Sequence, residues 1–77
     1  MSDFAKISNA VRESFEAAFP NHNIRLDSDF FDLGGDSLAM LTIILELEER
    51  LNVEIAGVDL MQAPTVEELS RQVEAYL

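Results

Sequence analysis

The sequence of 77 residues contains no cysteine, a single histidine (His22) and only five basic residues. Without cysteine it can form no disulfide, and one histidine cannot supply the usual ligand set of a zinc site. Because chains below about 80 residues often depend on such staples, helix packing must stabilise this one. Its composition, 48% apolar and 26% charged, is that of a folded protein, and its length predicts one domain over residues 1–77.

The scarcity of basic residues leaves a strong negative charge. Fifteen Asp and Glu against five Lys and Arg give a net charge of −10. Such a surface repels phosphate backbones and anionic headgroups, so we expect neither a nucleic-acid nor a membrane partner, whereas a basic protein would be attracted. The charge alone is equally well explained by solubility.

Long apolar runs are absent as well. None approaches the roughly 20 residues of a bilayer span, and the start of the chain lacks the basic and apolar regions of a signal peptide. We therefore expect a cytoplasmic protein, and a monomer.

Two outer segments show the spacing of amphipathic helices. The first helix begins at Ser2 or Asp3 as N-cap and ends at Pro20. The last begins at the capping box Thr65-Val66-Glu67-Glu68 and reaches the C-terminus. The apolar positions are Phe4, Ile7, Val11, Phe15 and Ala18 in the first, and Val66, Leu69, Val73 and Tyr76 in the last.

A second helix should run from Asp36-Ser37 to about Leu51, where Asn52 can end it. Its apolar positions form two stripes rather than one. The first comprises Met40, Ile43, Ile44, Leu47 and Leu51, and the second comprises Leu38, Leu41 and Leu45. Either the helix is central enough to bury both stripes, or the second partly faces a partner.

The remaining segments complete an all-α fold. Residues 53–55 are interpreted as a loop and Val58 to Met61 as a short helix. Residues 19–36 form an 18-residue connection, longer than compact domains usually contain unless the loop is functional. We expect five apolar side chains to pin this connection onto the core: Ile24, Leu26, Phe30, Phe31 and Leu33. The predicted architecture is a small antiparallel four-helix bundle, with three main helices and one short helix.

The residues most suggestive of chemistry are Gly34-Gly35-Asp36-Ser37. Glycines leave the backbone bare for the approach of another macromolecule, and a helix N-terminus favours a phosphate ester on Ser37. The alternative is that the glycines only turn the chain and that Asp36-Ser37 only cap a helix. Gly35 to Leu38 also spell the motif of the GDSL esterases, but those enzymes need a histidine base held by an aspartate. His22 has no such setting, which argues against a hydrolase.

Four aspartates cluster in the same connection, at positions 27, 29, 32 and 36. An EF-hand loop beginning at Asp27 would require Gly at its sixth position and Glu at its twelfth, where Asp32 and Leu38 stand. We favour a solvated acidic loop over a weak cation site of another kind, and we expect no bound metal.

Leu33-Gly34-Gly35-Asp36-Ser37-Leu38, followed by an apolar helix ending in Glu-Leu-Glu-Glu, closely resembles the acyl carrier proteins and the related peptidyl carrier domains, and the likeness spans the whole chain. The resemblance implies that the protein is no enzyme. It implies that Ser37 carries 4′-phosphopantetheine, taken from coenzyme A by a phosphopantetheinyl transferase, with Gly35, Asp36 and Leu38 around the attachment point. Because the chain has no cysteine, the thiol for a thioester would have to come from this prosthetic group. Further partners would be an acyl- or aminoacyl-loading ligase and downstream synthase or transferase enzymes.

In the carrier family the second helix and the loop before it form the recognition surface. By resemblance, the partner-binding residues are Asp36, Leu38, Leu41, Leu45, Glu46, Glu48 and Glu49. Fatty-acid carriers usually have acidic residues where this chain has Ala39 and Thr42, which favours a polyketide, nonribosomal peptide or related pathway. From the strong acidity, and from a chain that starts and stops at the domain edges, we expect a freestanding carrier. The alternatives are a housekeeping fatty-acid carrier and an acidic helical interaction module without a prosthetic group.

Overall fold

The computed structural model describes residues 3–77, which fold into four α-helices. These are α1 (Phe4–Ala18), α2 (Ser37–Leu51), α3 (Gly57–Gln62) and α4 (Val66–Tyr76). Within this range there is no β-strand, and the only pairing of that kind is an isolated bridge between Asp29 and Thr65. The predicted all-α bundle with a long first connection is confirmed, and α3 is one residue longer at each end than expected. No helix between residues 3 and 77 combines the length and apolarity needed to cross a bilayer.

The helix ends follow the predicted capping residues. Asp36 and Thr65 each cap a helix through the side chain, and Glu68 completes the capping box of α4 by accepting from the Thr65 N–H. Asn52 ends α2 in the left-handed conformation at φ 54°, with its N–H donated to the Glu48 carbonyl. Asp3 occupies the N-cap position of α1 without a capping side-chain bond, and Ser2 lies outside the described residues.

One hydrophobic core joins all four helices. Its fully buried side chains include Val11 and Phe15 from α1, Ile43 and Leu47 from α2, Leu60 from α3, and Val66, Leu69 and Val73 from α4. Met40, Ile44 and Leu51 are half-buried against it, so the first stripe of α2 packs inward as predicted. Helix α1 packs against both α2 and α4, which fixes α2 in the bundle.

Tyr76 is an exception to the predicted inner face of α4, because 51% of it is exposed. Its hydroxyl donates a hydrogen bond to Asp59 on α3, and Gln72 donates a second one over 2.7 Å to the same carboxylate. The Asp59 carboxylate also accepts from the Ala56 N–H at the start of α3. The bond from Tyr76, then that from Ala56, lowers the pKa of Asp59 below its ordinary value. Tyr76 therefore ties α3 to α4 by a polar contact at the surface.

The long connection is fastened to the start of α4 by backbone hydrogen bonds. Phe30 donates to the Pro64 carbonyl over 2.8 Å, and Glu67 donates to the Leu26 carbonyl over 2.9 Å. Ile24 and Phe30 are buried and Leu33 is half-buried, as expected.

The expectation that Leu26 and Phe31 also reach the core is wrong, since they are 47% and 53% exposed. Leu26 holds the loop through its carbonyl rather than its side chain. Phe31 lies edge-on against Phe30, at 5.5 Å between ring centroids, and keeps much of its surface in solvent.

Candidate functional site at the start of helix α2

Ser37 is exposed and is the first residue of α2. The residue before it, Asp36, accepts from the Ala39 N–H through Oδ1 and from the Met40 N–H through its carbonyl, both over 2.9 Å. Ala39 and Ile43 on the following turns are buried. Ser37 therefore stands on a capped and anchored helix end while its own side chain faces solvent.

Among residues 3–77, Ser37 is the only serine, threonine or tyrosine whose hydroxyl makes no hydrogen bond within the protein. The other seven are Ser8, Ser14, Ser28, Thr42, Thr65, Ser70 and Tyr76. The hydroxyls of Ser14 and Ser70 are buried against helix carbonyls. Ser37 is also the one serine or threonine of residues 3–77 that is exposed rather than buried or half-buried, so an external enzyme can reach its hydroxyl. No side chain of the described residues is placed on it as an activating base.

The two glycines before Ser37 meet different requirements. Gly34 adopts φ +80°, which side chains rarely tolerate, and the space where its Cβ would lie is open. Gly35 is not in that conformation, but a Cβ there would lie 2.4 Å from Cε2 and Cζ of Phe30. Gly34 therefore turns the chain and leaves open space three residues before the exposed serine, whereas Gly35 makes room for the Phe30 ring.

Two of the four aspartates of the connection bind backbone N–H groups. Asp29 Oδ1 accepts from the N–H groups of Phe31 and Asp32, at 2.8 and 3.1 Å, and Asp36 caps α2. Asp27 is exposed and lies 3.8 Å from Arg25 Nε. Across the described range, no three or more His, Cys, Asp or Glu side chains are grouped in a way that could hold a metal ion.

The second stripe of α2, here called the outer stripe, comprises Leu38, Leu41 and Leu45. These residues are 73%, 51% and 53% exposed, whereas Ile43 and Leu47 of the same helix are fully buried. The alternative that α2 buries both stripes is therefore wrong.

Helix α3, which packs against α2, adds two exposed apolar residues, Val58 and Met61, at 55% and 58%. Sequence reasoning did not single these out. Their three-residue spacing in a short segment carries no signal that separates an outer face from a core face.

The glutamates predicted to contact partners differ in their exposure and in whether they form ion pairs within the protein. Glu48 and Glu49 are exposed, form no ion pair within residues 3–77, and lie three and four positions after Leu45, at the end of the outer stripe. Glu46 is half-buried and accepts from Arg50 Nε over 3.0 Å, while the same arginine donates to Glu13 of α1. Part of the charge of Glu46 is thus used inside the bundle.

Comparison with known proteins agrees with this geometry. Residues 5–73 match the family described as the phosphopantetheine attachment site. Indigoidine synthase of Streptomyces lavendulae is 35% identical over 60 residues, which is 78% of this chain and 5% of the synthase. Tyrocidine synthase 3 of Brevibacillus parabrevis is 33% identical over 66 residues, 86% of this chain and 1% of the synthase. The chain spans only a small part of these relatives.

Among solved structures, the fold is similar to that of BlmI, a type-II acyl carrier protein from Streptomyces verticillus involved in bleomycin biosynthesis. The TM-score is 0.85 at 21% identity, and the alignment covers 94% of this chain and 87% of the other. At this identity the likeness supports the fold, and the match to the family supports the prosthetic group.

Proposed function

Since the chain belongs to the phosphopantetheine attachment family, whose members carry a 4′-phosphopantetheine prosthetic group, we propose that it is a carrier of acyl or aminoacyl intermediates with Ser37 as the attachment residue. The observation that carries the assignment to Ser37 is its exposed hydroxyl, the only one in residues 3–77 without an internal hydrogen bond. When attached, the group supplies the terminal thiol that this cysteine-free chain lacks.

The start of α2 suits a phosphodiester on Ser37. Helix N-termini stabilise anions through unpaired N–H groups and the helix dipole, and the first turn of α2 contains no acidic residue. The neighbouring carboxylate of Asp36 is bonded to the Ala39 N–H. In the transfer, the serine oxygen forms a bond to the β-phosphorus of coenzyme A and the pyrophosphate bond breaks. Adenosine 3′,5′-bisphosphate leaves, and the serine proton passes to a base of the transferase. The carrier contributes position and access, and the transferase supplies the activation.

We propose the outer stripe, with Gly35 and Asp36 before it, as the surface that partner enzymes contact. Leu38, Leu41 and Leu45 keep half or more of their area in solvent without a role in the core. Exposed carboxylates flank the stripe, with Asp36 at one end and Glu48 and Glu49 at the other. The half-buried Glu46, paired with Arg50, lies beside it. Basic partner surfaces would be steered by this charge and would then bury the leucines.

The relatives narrow the type of pathway that we propose. They include indigoidine synthase, tyrocidine synthase 3, a dimodular nonribosomal peptide synthase and a polyketide synthase-nonribosomal peptide synthetase. In this chain Ala39 and Thr42 stand where fatty-acid carriers usually have acidic residues. We therefore place the carrier in a specialised nonribosomal peptide, polyketide or related pathway. Its proposed partners are the transferase, a loading ligase, and synthase or transferase enzymes. The net charge of −10 favours a discrete carrier. We propose the cytoplasm, where coenzyme A and these enzymes meet, as its compartment.

The assignment is tested by incubating the protein with coenzyme A and a phosphopantetheinyl transferase of broad specificity. The intact mass should rise by one phosphopantetheine, and Ser37→Ala should abolish the gain. Ser8→Ala is the matched control, because Ser8 lies on α1 and its hydroxyl is bonded to the Ala5 carbonyl. If several transferases leave the wild type unmodified, the chain is an acidic interaction module without a prosthetic group.

A further inference from the structure

Phe30, a core residue, is in close contact with Gly35. Gly35 lies over the face of the Phe30 ring, so that a Cβ at position 35 would lie 2.4 to 2.5 Å from Cε2, Cζ and Cε1. These two residues are also joined through the backbone, because the Gly35 N–H donates to the Phe30 carbonyl over 2.9 Å. The turn from 30 to 35 is thus closed at both its backbone and its side chain.

The Phe30 ring is itself held firmly. Only 1% of the residue is exposed, and the ring packs edge-to-face against Phe19 at 5.9 Å between centroids. Phe31 lies against the ring at 5.5 Å, and the Phe30 N–H is bonded to the Pro64 carbonyl. Rigid aromatic contacts on both sides leave the ring little freedom to yield to a change at Gly35.

Ser37 is anchored from both directions along the chain. On its C-terminal side the helix is fixed by the buried Ala39 and Ile43, and on its N-terminal side Gly35, two residues away, lies against the buried Phe30. We infer that Phe30 is a positioning residue for modification of Ser37, which it achieves by holding Gly35. This inference rests on the proposed function, since it concerns how the attachment residue is presented to the transferase.

The first test compares Phe30→Leu with Phe15→Leu. Phe15 is fully buried in the same aromatic row, with its ring 6.3 Å from that of Phe19, and it lies in α1 far from Gly35 in the chain. Both variants should lose comparable thermal stability. Well below their melting temperatures, Phe30→Leu should lower kcat for phosphopantetheine transfer by about tenfold or more with KM little changed, since small misplacements of a reacting group are costly. Phe15→Leu should leave both constants within about twofold of the wild type.

Gly35→Ala provides a second test that leaves the ring in place. Position 35 has no positive φ, so alanine is unfavourable there only because its methyl group meets Phe30. This variant should also lower kcat. In Phe30→Leu/Gly35→Ala the flat ring over position 35 is replaced by a smaller, non-planar side chain that can turn away from the methyl group, so kcat should recover above that of Gly35→Ala.

Equal kcat for Phe30→Leu and Phe15→Leu would overturn the inference, as would an unchanged kcat for Gly35→Ala or the absence of recovery in the double variant. A wild type that no transferase modifies would instead defeat the proposed function. The positioning of Ser37 can then still be read from NMR spectra of the unmodified proteins. The Ser37 amide resonance should shift in Phe30→Leu and stay in place in Phe15→Leu, and the reverse would refute the inference.

Discussion

Alanine replacement along α2 tests whether the outer stripe is free for partners or part of the fold. A leucine-to-alanine change removes three carbons, each worth about 0.8 kcal/mol when fully buried. For Leu47, which is fully buried, the enclosed cavity adds to this loss, and the expected cost is about 2 to 5 kcal/mol.

Leu41 and Leu45 are about half exposed, at 51% and 53%, so about half of the transfer term is lost and no enclosed cavity forms. Because alanine favours the helix over leucine by a few tenths of a kcal/mol, the net loss of stability should be about 1 kcal/mol for each of these two variants. Leu38, at 73% exposed, should cost about 0.5 kcal/mol. The predicted order of destabilisation is thus Leu38, then Leu41 and Leu45, then Leu47.

Urea and thermal unfolding followed by circular dichroism measure these costs. In a domain of this size each kcal/mol lowers Tm by about 4 to 8 °C. The same variants should show the opposite order in transferase assays, where Leu41→Ala and Leu45→Ala lower kcat/KM while folded Leu47→Ala does not. If Leu41→Ala lost as much stability as Leu47→Ala, the outer stripe would be packed into the fold, and the prediction that it is free for partners would be wrong.

Two further predictions concern the polar contacts of the bundle. Asp36→Asn should keep the cap of α2 and its stability, since Asn caps as well as Asp. Because this variant loses a negative charge, a basic transferase should modify it with a lower kcat/KM, and that kcat/KM should depend less on the salt concentration. Asp36→Ala should additionally cost about 1 kcal/mol in unfolding experiments. Tyr76→Phe removes the main bond that lowers the Asp59 pKa below 3.8. The stabilisation from that lowered pKa is present above about pH 4 and is lost as the pH falls through the pKa of Asp59 in the folded protein. The difference in Tm between wild type and Tyr76→Phe should therefore shrink on acidification. A difference in Tm that stays constant with pH would contradict this prediction.

Much of the fold could be predicted because its signals are local. Capping residues such as Asp36, Asn52 and Thr65 act within a few positions of themselves, and the structure uses each as expected. The two stripes of α2 were separable for the same reason, since helical spacing alone places Leu41 and Leu47 on different faces.

The remaining features depend on contacts that no short pattern encodes. Leu26 and Phe31 are apolar and lie in the connection that was expected to pack inward, but the backbone bonds to α4 set the path of the loop and turn these side chains outward. The hydroxyl of Tyr76 reaches Asp59 across 17 positions. Glycine at position 35 was attributable to a turn, whereas its close contact with Phe30 becomes visible only in three dimensions.

Attachment at Ser37 can be checked by the intact mass and peptide map of the protein isolated from its native host. We expect the peptide containing Ser37 to carry one phosphopantetheine, with or without an acyl group on its thiol, and no other serine to be modified. A modified peptide that contains a different serine, or a chain that remains unmodified in the host and with every transferase tried, would rule out Ser37 as the attachment residue.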